Sequence, residues 1–253
     1  MAIVTNGPWL RQITLLRSEV GDWQQYPFSI PVISSLHSLA LSSRVTCFVG
    51  ENGTGKSTLL EGIALASGFG LQGGTRNFLM SRPDPLDDEA ESIERLADVL
   101  RLRWAKRQSE GFFLRAESFY NAATYIDEVG AIRSYGDISL HKRSHGESFL
   151  TLVLKRFRAG WLYLLDEPEA ALSAPRQLAL LVRMHDLLAE HPGTQFIVAT
   201  HSPILLAFPN ASILSFDEAP IREIAYRETD AYVITRRFLD DPARMLREAL
   251  DEH

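Results

Sequence analysis

Three short groups of residues in this chain have types and spacings suited to chemistry on a phosphate ester. The first is Gly50-Glu51-Asn52-Gly53-Thr54-Gly55-Lys56-Ser57-Thr58, a glycine, four residues, then Gly-Lys-Ser. Glycines let backbone N–H groups turn inward around phosphate oxygens, and a helix starting at the lysine aims its positive dipole end at the same anion. Lys56 is expected to reach the β- and γ-phosphates, and the Ser57 hydroxyl to ligate Mg²⁺. The second group is Asp166-Glu167, two acids closing the apolar run Trp161 to Leu165. Asp166 suits a Mg²⁺ shell, and Glu167 suits polarising a water that attacks the γ-phosphate. The third is His201, after the apolar run Gln195 to Ala199. An imidazole there can donate to a γ-phosphate or hold the attacking water. Together the three predict a site that binds a nucleoside triphosphate and cuts it.

Each group needs an element to hold it. Val45 to Val49 is β-branched and apolar, so it reads as a buried strand delivering the loop, and Ser57 to Ala66 has leucines and alanines at helical spacing. Trp161–Leu165 and Gln195–Ala199 read as two more core strands, with a leucine-rich helix from Pro175 to Glu190 between them. Such alternation predicts an α/β fold with a mainly parallel sheet covered on both faces, ligands collecting at the C-terminal strand ends. An antiparallel β part is expected near the N-terminus, from Leu10 to Val20. The expected organisation is one domain over residues 1–253 with a small helical insert at about 75–150.

Elsewhere the signals are weaker. Ser81 to Glu89 reads as an exposed loop, and Glu91 to Gln108 as a helix with Ile93, Leu96, Val99, Leu100 and Trp104 on one face and five basic residues elsewhere. That basic surface reads first as a solvated face, and otherwise as a contact for nucleic acid or an acidic partner. Gly111 to Arg115 reads as a strand, Asn121 to Val129 as a short helix, Tyr135 to Lys142 as a loop and Glu147 to Arg158 as a helix. Ser212–Phe216 and Ile221–Tyr226 read as a hairpin, and the tail as two short helices broken at Asp241-Pro242. The aromatic group Trp23, Tyr26 and Phe28 reads as packing under a sheet in preference to a base-stacking platform.

Composition narrows the class. The chain has 253 residues, 45% hydrophobic and 23% charged, as ordinary globular domains do. A net charge of −6 does not advertise nucleic-acid binding by the whole surface. The single cysteine, Cys47, lies in the strand before the loop, which excludes a disulfide framework and suits a reducing cytoplasm. No apolar run approaches the roughly 20 residues of a membrane helix, so no direct membrane insertion is expected.

In order and wording these motifs resemble the ABC-type P-loop ATPases over roughly residues 40 to 205. Within that family, and among AAA-family ATPases, the likeness is to the soluble SMC/RecF-like branch. The family carries a signature segment before the Asp-Glu strand; here Arg143-Ser144-His145-Gly146-Glu147-Ser148 stands in its place. Ser144 and Gly146 match, Arg143 and His145 depart, and Glu147 favours the SMC/RecF branch over transporter subunits. The resemblance implies ATP and Mg²⁺ as cofactors, and a homodimer in which Ser144, Gly146 and Glu147 of one copy cap the nucleotide of the other. It also implies DNA or a protein as partner. The family's metal-sensing glutamine has no match; Glu117 stands at that place and could ligate the metal or its water. Ser173 stands where the family usually has an aspartate after the Asp-Glu-Pro strand. Two other functions fit parts of the pattern: the nucleotide-binding subunit of a membrane transporter, and an ATP-gated binding module without hydrolysis.

Overall fold

The computed structural model describes residues 7–71, 73–75, 88–107, 110–115 and 145–251. Their core is a six-stranded sheet: β3 (Val45–Val49), β5 (Gly111–Arg115), β6 (Leu162–Asp166), β7 (Gln195–Ala199), β8 (Ser212–Ser215) and β9 (Arg222–Ile224), in the order β5-β6-β7-β3-β8-β9. Every pairing is parallel except β8 with β9, which form the expected hairpin. Every residue of β3, β6 and β7 is buried. Side chains alternate between two cores: Tyr163 and Leu165 face one with Phe196 and Val198, while Leu162 and Leu164 face the other with Ile197 and Ala199. Both faces being covered, these strands read as continuous apolar runs.

Helices supply the covers. On one side α2 (Lys56–Ala66) puts Leu59, Leu60 and Ile63 into the core. On the other, α4 (His145–Arg156) and α5 (Ala174–Glu190) contribute Phe149, Leu152, Leu180 and Met184. An aromatic column joins this layer to the sheet, with Phe157 stacked on Tyr163 at 4.2 Å and Tyr163 on Phe196 at 4.7 Å. The short helices α1 (Pro31–Ser34) and α6 (Pro203–Leu206) complete the packing. The tail forms α7 (Asp230–Asp240) and α8 (Pro242–Asp251), broken at Pro242 because proline has no N–H to continue the ladder.

A second sheet of three antiparallel strands, β2 (Ser38–Ala40), β1 (Leu10–Leu15) and β4 (Leu100–Trp104), packs above α2. Its Leu10, Ile13, Leu15 and Leu39 are buried in the same core as α2. The fold class read from the sequence is therefore observed, a mainly parallel α/β sheet with an antiparallel part near the N-terminus.

Two local readings are corrected. The helix expected over Glu91–Gln108 is α3 (Asp88–Asp98), after which the chain becomes β4. Leu100-Arg101-Leu102-Arg103-Trp104 alternates with period 2, and pairing it with β1 satisfies its backbone and buries Leu100. The segment Leu10–Val20 is a strand only to Leu15, turns through Arg17–Glu19, and forms the centre of its sheet. The loop read at Ser81–Glu89 lies outside the described residues except Asp88 and Glu89, which open α3. The elements read at Asn121–Val129 and Tyr135–Lys142 lie outside them as well, as does most of the expected insert.

Candidate nucleotide site

The glycine loop leaves β3 and enters α2 through backbone conformations that only glycine adopts freely. Gly50 has φ 144° and Gly55 φ 98°, the latter at the N-cap of α2. A Cβ at Gly55 would meet Ile30 Cγ2 at 3.0 Å, and one at Gly50 would meet Asp217 Oδ1 at 3.0 Å. Within the loop Lys56 is buried, and its Nζ donates to the carbonyls of Gly50 and Glu51, both at 2.7 Å. Burial pushes its pKa down, against the pull of Glu167, Asp217, Asp166 and Glu51. Glu51 and Asn52 stay exposed on the loop. The Thr54 hydroxyl donates to the Glu51 carbonyl at 2.9 Å.

Parallel pairing brings the other strand ends to the same edge. Asp166 closes β6, level with Ala199 of β7, and is buried. The Ser57 hydroxyl donates to Asp166 Oδ1 at 2.9 Å, joining residues 109 positions apart. Glu167 follows in a left-handed conformation, φ 45° and ψ 50°, its N–H donating to the Ala199 carbonyl at 2.9 Å. A non-glycine residue there is strained, and such strain collects at functional sites. It carries the Glu167 carboxylate to 3.6 Å from His201 Nε2, with 41% and 40% of the two side chains exposed to solvent.

The structure thus brings together Lys56, Ser57, Asp166, Glu167 and His201 at the rim of the glycine loop. A cavity of about 480 Å³ opens beside them, lined by Gly50, Glu51, Thr200, His201, Asp217 and Arg222 among others. The donor set fits Mg²⁺: a hydroxyl and a carboxylate, both oxygen, already within 2.9 Å of each other. Among the described residues no group of three or more His, Cys, Asp or Glu could hold a metal by itself. The pair instead suits an ion that shares its shell with phosphates and water.

The signature residues sit at another element. Gly146 and Glu147 form the first turn of α4, and Glu147 pairs with Arg176 of α5 at 3.3 Å. Ser144 and Glu117 lie outside the described residues. Of the aromatic group, Trp23 packs edge-on to Phe28 at 6.2 Å beneath the Arg17 guanidinium, as the packing reading expects. Tyr26 is half exposed, its hydroxyl 3.1 Å from Thr58 Oγ1.

Two site residues escaped the sequence reading. Asp217 Oδ1 accepts from the Glu51 N–H at 2.8 Å, and its Oδ2 accepts from the Ser215 hydroxyl at 2.9 Å, pinning the glycine loop to β8. An acid just past an apolar strand was the available signal, the same one that marks Asp166. Glu169 Oε1 accepts from the His201 N–H at 2.5 Å, and its buried Oε2 has no hydrogen-bond partner among the described residues. Burial raises its pKa, opposed by hydrogen bonds from Thr200 and His201. Only the fold places Glu169 under His201, so spacing gave no signal.

Two family models match the chain. One, described as an AAA domain, covers residues 29–103, from α1 through the glycine loop to β4. The other, described as an AAA domain, candidate AbiEii toxin, Type IV TA system, covers residues 148–207, with both Asp166 and His201. No curated protein matches. Among solved structures, a candidate metal-chelate type ABC transporter in an inward-facing conformation is 19% identical, covering 91% of this chain and 88% of its own, with a TM-score of 0.43. The SMC head domain from Thermotoga maritima is 12% identical, covering 85% of this chain and 98% of its own, with a TM-score of 0.42. The two AAA-domain matches lie on the glycine loop and on the strands that carry Asp166 and His201, so the chain is similar to AAA domains at each part of the candidate site.

Proposed function

We propose that this domain binds ATP with Mg²⁺ and hydrolyses it, and that ATP draws two copies together head to tail. The observation that carries the hydrolytic reading is the left-handed Glu167, whose carboxylate faces His201 at 3.6 Å. A domain that only bound nucleotide would have no use for a strained acid beside the γ-phosphate position. When bound, Mg²⁺ supplies the positive charge that offsets the build-up on the transferred phosphoryl group. Ser57 and Asp166 would hold it, with Glu117 as a further oxygen donor proposed from sequence position alone. Lys56 would exchange its bonds to the Gly50 and Glu51 carbonyls for phosphate oxygens. Glu167 orients and polarises the attacking water, and His201 steadies that water and the γ-phosphate.

Support for the dimer comes from the start of α4. Gly146 and Glu147 open a 12-residue helix on an element separate from the glycine loop, and the positive dipole end of a helix suits an anion. In the proposed assembly, Ser144 and Gly146 of one copy cap the nucleotide held by the other. The cellular role we propose is DNA maintenance, repair or defence in the manner of SMC/RecF-like ATPases. The Type IV TA description of one matching family favours defence.

Phosphate release from MgATP tests the catalytic reading. Wild-type release that Glu167→Gln abolishes is the expected result, and no wild-type release with or without DNA overturns it. Light scattering tests the assembly: Glu167→Gln with ATP and Mg²⁺ is expected to run as a dimer, and a monomer at micromolar concentration refutes that part.

A further inference from the structure

Among the described residues no hydrogen bond fastens the His201 ring. Its Nε2 stands 3.6 Å from Glu167, and the side chain is exposed to solvent. The ring is therefore placed by its backbone, the stretch Thr200-His201-Ser202 that follows β7. Three bonds from other segments hold that stretch. The Thr200 N–H donates to the Phe48 carbonyl of β3 at 3.1 Å. The Ser202 hydroxyl donates to Gln177 Oε1 of α5 at 2.5 Å, and the same hydroxyl accepts from two N–H groups at the start of α6. Between them, the His201 N–H donates to Glu169 Oε1 at 2.5 Å.

The middle bond has a different origin from the other two. Glu169 lies on the single turn Pro168–Ala171, directly after Glu167, and the Ala170 N–H closes that turn on the Glu167 carbonyl at 3.0 Å. One short turn thus presents two carboxylates to one histidine, Glu167 toward the imidazole and Glu169 toward the backbone N–H. Holding the histidine backbone and the facing acid from the same turn fixes the gap between acid and ring. Glu169 forms no ion pair among the described residues, although its Oε2 is buried. A carboxylate taken out of water without a cation costs stability, so packing alone would be served better by an apolar side chain.

We propose that Glu169 is a positioning residue, holding His201 against Glu167 in the geometry that hydrolysis needs. The proposal rests on the hydrolytic reading above, in which Glu167 and His201 act on the attacking water. What it asks of Glu169 is an acceptor oxygen, since one oxygen makes the bond to His201.

The test compares phosphate release and binding of a fluorescent ATP analogue in Glu169→Ala, Glu169→Gln, His201→Ala and the Glu169→Ala, His201→Ala double variant. A misplacement of about 1 Å costs up to about a hundredfold, so Glu169→Ala is expected to lower kcat by about 10- to 100-fold with nucleotide affinity little changed. Glu169→Gln keeps an acceptor oxygen and is expected to recover most of that loss. In the His201→Ala background, Glu169→Ala is expected to add less than about twofold, because the ring it positions is gone. If Glu169→Ala does not fold, Glu169→Met, of similar length and only a weak acceptor, takes its place. A glutamine variant no better than alanine, or losses that multiply in the double variant, overturn the proposal. A second measurement needs no reaction: the His201 ring-proton resonances of the nucleotide-free protein, assigned by their loss in His201→Ala. They are expected to move in Glu169→Ala and to stay in place in Glu169→Gln. Unmoved resonances in Glu169→Ala overturn the proposal whether or not phosphate is released. Moved resonances in a protein that releases no phosphate uphold the grip on His201 and remove only the hydrolytic reading.

Discussion

The two sheets of this molecule place their polar groups in opposite ways. In the six-stranded sheet the strands β3, β6 and β7 are buried along their whole length, so polar side chains appear only where the strands end. The glycine loop, Asp166, Glu167 and His201 are all strand-end residues gathered at one edge. In the three-stranded sheet one face is wet, and its polar groups lie along the strands at every second position. The difference follows from connectivity. Parallel strands need helical crossovers that cover both faces, while a small antiparallel sheet covers only one. Chemistry that needs convergent groups and partial exclusion of water belongs to the first arrangement.

Substitutions in the two sheets test that contrast, the strand-end acids first. Glu167→Gln is expected to lower phosphate release about 10²- to 10⁴-fold while nucleotide affinity, followed by a fluorescent ATP analogue, stays within about threefold. A change of only a few-fold in release would strip Glu167 of the role proposed for it. Packed against the same sheet, Phe157 stacks on Tyr163, and Phe157→Ala should cost about 3–5 kcal/mol in urea unfolding. On the wet face of the other sheet, Arg103→Ala should stay within about 0.5 kcal/mol of wild type by the same measurement. Equal costs at the two sites would erase the distinction between a packed sheet and a surface one.

Two smaller effects sharpen the picture of the edge. Burial holds the Glu169 carboxyl above its ordinary 4.5 in the folded protein. Between 4.5 and that raised value the folded chain keeps a proton the unfolded chain has lost, so stability falls as pH rises through the window. Glu169→Gln cannot titrate, so the wild-type urea midpoint should lose ground to the variant's from about pH 4.5 upward. Parallel curves would contradict the buried placement of Glu169. Cys47, its thiol pushed up to about 12 by burial inside β3, should react with a thiol reagent only in denaturant.

Much of the candidate site could be read from the chain because each part is local. The loop needs glycine at positions where backbone geometry demands it, and a continuous apolar run followed by acids can hardly be anything but a buried strand ending at a site. The basic segment was misread for the opposite reason. Leu100 to Trp104 has residues that satisfy a helical stripe together with those before it and also a strand alternation, and only β1, about 90 residues earlier, selects the strand. Glu169 was missed because its work is done on the backbone N–H of His201, which no spacing rule connects to it, whereas Asp217 carried the strand-end signal but nothing local ties it to the Glu51 N–H it holds.

By itself, then, the sequence determined the kind of fold, the nucleotide loop and the strand-end acids. Those depend on covalent geometry, on side-chain periodicity and on where apolar runs stop. The tertiary structure alone decided that Ser57 meets Asp166, that Glu167 is bent back toward His201, and that Glu169 holds the His201 N–H. Each of these relations joins segments far apart in the chain, and hydrogen bonding between strands, which carries no mark in local composition, is what sets them in register.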